Sequence, residues 1–279
     1  RMILDLTLDA DAPPPARIAH RFTVTLTRLG DAESTEEIVS GATDVGHQTA
    51  VLLDPPLAGG RWLVADGCCV PSAHRNATLP VNGVIRAPER FAIDFIRLDA
   101  EGRLFVGPST EISSYPYYGV PIHAAADGVV VRAVDGMPNQ VPGSVAPGIT
   151  AGNAGGNHVV VDIGGGRFAF YAHLQPGSLR VQVGEGVTRG QVIGLLGNTG
   201  NSDAPHLHFH VMDGPEPLAS NGLPYVFRSF ESEGTLTNTV DDLVEGQPAQ
   251  IGPALAGRHR LQIPMNNQVV DFGTPSGGR

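Results

Sequence analysis

A mainly β fold is what this sequence predicts, and three observations carry the prediction. Short runs rich in valine, isoleucine and aromatic residues recur along the chain. Glycine and proline, 36 and 23 among 279 residues, punctuate those runs. No long stretch repeats apolar residues at helical spacing. A composition of 41% hydrophobic and 16% charged residues is that of a folded chain, long enough for one large core or two domains.

The elements follow in order. Residues 1–75 hold spaced strands between turn signals, among them RFTVTLTRL at 21–29. They are expected to form a small N-terminal β-sandwich-like domain with Trp62, the only tryptophan, in its core. Residues 76–234 hold the strand-like runs RFAIDFIRL (90–98), GVVVRAV (128–134), HVVVDIG (158–164), RFAFYAHL (167–174), QVIGLLG (191–197) and HLHFHVM (206–212), and form the central domain. Between them, residues 137–156 are rich in glycine and proline, a loop of the kind that walls a groove. Residues 235–279 are polar and read as an extended tail or a few peripheral strands.

Charge narrows the partners. The 18 basic residues, all arginine, stand against 28 acidic ones for a net charge of -10. That balance argues against a nucleic-acid partner and against an anionic membrane surface. No apolar run is long enough to span a membrane as a helix. The opening RMILDLTLDA lacks a basic region followed by an apolar one, so a secretion signal is either absent or already removed. Cys68 and Cys69 are adjacent, which suits two free thiols or a vicinal disulfide; without a second pair they make no zinc knuckle.

The stretch SDAPHLHFHV at 202–211 raises a sharper question. On a strand, alternate side chains share a face, so His206, His208 and His210 would stand in one row. Two imidazoles on one face can hold zinc, although an H-x-H pair alone is a weak signal. For His20, His47, His158 and His259 the expectation is a surface or hydrogen-bonded core residue, and for His123 a groove or surface residue.

Context strengthens the signal. YAHL (171–174), GEGVTRGQVIGLLGNTG (184–200) and PHLHF (205–209) follow in order, preceded by GVPIHAAADGVVVR (119–132) and GGNHVVVDI (155–163). This series resembles the lysostaphin-type, or LytM-like, zinc metallopeptidases, which cleave the peptide cross-links of bacterial peptidoglycan. The resemblance runs from about 88 to 230. It implies a twisted antiparallel sheet forming an open groove, with one zinc ion on its floor. It also implies a peptidoglycan peptide or another Gly/Ala-rich peptide as partner, and a secreted or periplasmic location in the cell envelope. The family holds zinc with a His and an Asp spaced H-x-x-x-D and with the second His of H-x-H, leaving one position open, as a catalytic zinc requires. Carried over, the ligands are Asp94 and His208, and the catalytic histidines that orient water and stabilise the oxyanion are His173 and His206.

The pattern departs at Arg90, which stands where the family has its first zinc histidine. A guanidinium has no acceptor lone pair and a permanent positive charge, so it cannot be a ligand. Two residues are candidates for the third position: His210, one alternation beyond His208 where the family commonly has glutamate, and His74 in CCVPSAHRNATLP. Arg90 is then left to bind a substrate carboxylate. Two function classes stay open: a zinc endopeptidase, or a catalytically degenerate module that binds the wall or activates a partner hydrolase. A lectin-like binder, the third class, would show neither metal nor hydrolysis.

Overall fold

A computed structural model describes residues 13–26, 33–46, 49–144 and 147–274, and the chain divides into two compact units, Arg1–Thr49 and Ala50–Arg279. This division stands beside the boundaries expected at 75 and 234. In the first unit, strands Arg17–Leu26 and Ser34–Asp44 pair antiparallel, with a register shift between Ile18 and His20. A sandwich needs a second sheet to cover its apolar face. Among the described residues this unit offers one hairpin, whose second strand is exposed throughout. His47 lies outside the described residues.

The second unit is built on a 13-stranded sheet. Along its path Gly186–Val187, Gly128–Val134, His158–Asp162, Phe168–Ala172, Leu207–Met212, Ile93–Arg97, Trp62–Ala65, Gln268–Asp271 and Tyr225–Leu236 are successive neighbours, followed by Ile251–Gly252. Neighbours on this path pair antiparallel, whereas Val51–Leu53 joins Tyr225–Leu236 in parallel. The sequence explains why Trp62–Ala65 belongs here and not to a sandwich over 1–75. Its four residues WLVA are buried in succession, the mark of a strand covered on both faces. Trp62 is core, as expected, but of this sheet. Within 235–274 the chain forms strands, one of the two forms expected there: Gln268–Asp271 lies between Trp62–Ala65 and Tyr225–Leu236, and Val269 and Val270 are fully buried.

Alternation fixes the faces. Leu207, Phe209 and Val211 enter the main core beside Ile93, Phe95, Tyr171, Tyr225 and Phe227. The Phe209 ring lies 5.1 Å from Tyr171 and 5.3 Å from Tyr225, centroid to centroid. Each such ring buried contributes about 1.5–3 kcal/mol. A slip of one residue would turn these rings out and the histidines in, so burial holds the register. In that register His208 lies directly opposite Asp94 on one side and Ala172 on the other.

Candidate metal centre

Residues one apart from the core positions turn to the opposite face, where a groove of about 620 Å³ is lined by His74, Asp94, His158, His173, His206 and His208. Asp94 is its centre. His74 Nε2 lies 3.3 Å from Asp94 Oδ2, and His208 Nδ1 lies 2.9 Å from Asp94 Oδ1. His206 Nε2 approaches the same carboxylate at 3.6 Å. One ligand atom each from His74, Asp94 and His208 fall within 4.8 Å of one another.

This donor set fits zinc. Ligands at roughly 2.0–2.1 Å in a tetrahedron stand about 3.3 Å apart, the spacing found between His74 and Asp94. The supporting bonds select the lone pairs as well. His74 Nδ1 donates to the Asp66 carbonyl at 3.2 Å, which leaves Nε2 for the centre. His208 turns Nδ1 to Asp94 and meets His210 Nδ1 with its Nε2 at 2.9 Å. His210 therefore meets the edge of the His208 ring opposite Asp94. Of the two candidates for the third position, His74 is the one whose ligand atom groups with those of Asp94 and His208. A short helix, Ala73–Asn76, carries His74, and the Ser72 hydroxyl caps it by accepting from the Arg75 amide at 3.2 Å.

Electrostatics follow from the crowding. Burial opposes a charged His74, yet the Asp94 carboxylate outweighs it, and the pKa is raised to about 10. Burial would also raise Asp94, but the charges of His74 and His206 and the hydrogen bonds from His208 and His74 hold it well below the usual carboxylate range. His173 is pushed the other way: burial first, then His206 and His208, hold it well below the ordinary imidazole value despite Asp94. The same causes, burial and then His208 and His74, lower His210.

His173 and His206 face each other across the groove with ring centroids 4.6 Å apart. Each is pinned through Nδ1: His173 donates to the Thr199 carbonyl at 2.7 Å, and His206 to the Ala204 carbonyl at 2.8 Å. Both thus keep Nε2 for a reactant. His173 holds φ +63, a left-handed conformation uncommon outside glycine and frequent at functional sites.

Arg90 does not join them. The strand begins at Ile93, so the position four before Asp94 falls in a turn, and Glu89 lines the groove there. His158, expected to be unremarkable, lines the groove with Nδ1 donating to the Gly156 carbonyl at 2.7 Å and a buried Nε2 that has no partner among the described residues. Its place two residues before Val160, on the face shared with Phe170 and Ala172, was the available signal. His123 is buried, and lines a different cavity. Cys68 and Cys69 are joined as a vicinal disulfide.

Residues 112–220 match the family model of peptidase family M23. Asp94 and His74 lie outside that stretch. The peptidoglycan DD-endopeptidase ShyA of Vibrio cholerae serotype O1 is 35% identical over 36% of this chain and 19% of its own length. The glycyl-glycine endopeptidase ALE-1 of Staphylococcus capitis is 38% identical over 34% of this chain and 22% of its own. The matching part spans about a fifth of the length of these relatives. The catalytic domain of the antimicrobial peptidase lysostaphin from Staphylococcus simulans is similar at 28% identity with a TM-score of 0.28, covering 48% of this chain and 71% of that one.

Proposed function

We propose that this chain, whose residues 112–220 match the model of peptidase family M23, is a zinc endopeptidase of peptidoglycan peptide cross-links, acting in the cell envelope. The observation that carries this reading is the convergence of His74, Asp94 and His208 on one point beside His173 and His206. Unpaired polar groups are costly to bury, so five on one groove floor are best explained by a shared task.

His74 Nε2, an Asp94 oxygen and His208 Nδ1 would hold the ion. Zinc, when bound, supplies a Lewis acid that polarises a peptide carbonyl and brings the pKa of water to about 7. His173, kept neutral by its surroundings, offers Nε2 to accept a proton from the attacking water. His206 points Nε2 to the same point of the groove and donates to the oxygen that gains charge as the carbonyl is attacked. Asp94 holds the His206 side of the groove electronegative, which favours that donor. Gly152, Ala154 and Gly155 along the wall leave room for a thin Gly/Ala-rich peptide.

The test is release of new amino termini from purified peptidoglycan and from Gly- and Ala-rich peptides. The reading predicts cleavage by the zinc-loaded chain, loss on chelation and recovery with zinc. A zinc-loaded chain that binds the wall but cleaves nothing would instead support the non-catalytic module.

No helix among the described residues is long and apolar enough to cross a membrane.

A further inference from the structure

A second cavity, also of about 620 Å³, lies apart from the histidine groove. Its polar wall is made by Asp54, Arg189, Arg228 and His123, and its apolar wall includes Leu57 and Phe272. Asp54 is only 7% exposed. Arg189 Nε lies 3.1 Å from Asp54 Oδ2 and Arg228 Nε lies 2.9 Å from Asp54 Oδ1, so one carboxylate holds two guanidiniums side by side.

The arrangement does more than neutralise Asp54. Two arginines meet on this one carboxylate in a chain that holds 18 basic residues against 28 acidic ones. Each guanidinium comes within ion-pair distance of Asp54 through its Nε. A guanidinium has five N–H donors in a fixed fork, so most of that capacity stays available. The frame is firm: the Arg189 amide donates to Asp127 Oδ1 at 2.7 Å, and the His123 ring donates through Nδ1 to the Gly190 carbonyl at 2.9 Å. Two forks fixed by a buried carboxylate, beside apolar surface, are what an oxyanion on an organic body requires.

We propose that this cavity is a binding site for a small organic ligand bearing an oxyanion, a carboxylate or a phosphate, clamped by Arg189 and Arg228. The site requires neither zinc nor hydrolysis.

Calorimetric titration of the full chain with inorganic phosphate and with N-acetyl-alanyl-alanine, whose free carboxylate is its one charge, tests it. Saturable one-site binding of either probe is expected, and which of them binds tells phosphate from carboxylate. The His208→Ala protein should bind the probe unchanged, which separates this cavity from the zinc centre. Arg228→Gln, which leaves Asp54 paired with Arg189, should weaken the probe about tenfold or more, the loss expected for one charged hydrogen bond. Arg228→Lys, which keeps the charge and loses the fork, should fall between. Failure of both probes to bind, or undiminished binding by both Arg228 variants, would overturn the proposal.

Discussion

A neutral imidazole binds zinc and a protonated one does not, so in the proposed ligand set the proton on His74 governs the affinity of the centre. Without metal, His74 is protonated below about pH 10, and zinc must displace that proton. Apparent zinc affinity should therefore rise roughly tenfold per pH unit between about pH 6.5 and 9, as for any one-proton displacement. Competition with a zinc-sensitive dye across that range measures the slope, and an affinity independent of pH would contradict the ligand assignment. The metal-free chain has its own signature. A raised imidazole contributes stability that is complete below its ordinary value of 6.5 and is lost as pH climbs through about 10. His210 makes a separate prediction. As the partner that orients His208, its change to leucine should cost about ten- to a hundredfold in zinc affinity and leave a measurable site. Complete loss in an equilibrium titration would make His210 a ligand after all. Of these residues Asp94, His173, His206 and His208 were legible in the sequence, because each sits in a short motif. His74 was legible only as one of two candidates. It stands on a separate helix ahead of the hairpin Leu79–Val81 and Val84–Arg86, and no fixed spacing ties it to Asp94.

Among elements, the strands Leu207–Met212 and Ile93–Arg97 place their ligands by register, and alternation made that legible. The loops that aim His173 were not, since their contacts join distant segments. The His173 amide donates to the Gly155 carbonyl at 3.0 Å and its ring to the Thr199 carbonyl at 2.7 Å. Gly156 sits between them at φ +59, where an added Cβ would strike the Thr199 backbone. Gly156→Ala should therefore push the Thr199 carbonyl and tilt His173. With the ligands untouched, zinc content should hold while kcat falls on the order of a hundredfold, the scale of an ångström of misplacement. Equal kcat in the two proteins at equal zinc loading would show that this loop does not aim the ring.

For the whole molecule, the division of the chain has a direct consequence. Strands Val51–Leu53 and Trp62–Ala65 and the helix of His74 all precede residue 76, and all belong to the unit Ala50–Arg279. Removing residues 1–49 should leave a folded unit that still binds zinc. Removing residues 1–75 takes two strands from the sheet, with Trp62, Leu63 and Val64 from the core, and should abolish cooperative thermal unfolding. A cooperative transition in the shorter chain would refute the boundary. Composition and alternation predicted the mainly β class, while the order of strands did not follow from them, because Gln268–Asp271 pairs with Trp62–Ala65 across some two hundred residues of sequence. The central claim, that His74 supplies the zinc ligand that Arg90 cannot, is tested most directly by elemental analysis of the purified chain and of His74→Ala after dialysis against trace zinc. One zinc per chain in the unaltered protein and none in His74→Ala is the predicted result; stoichiometric zinc persisting in His74→Ala would contradict it.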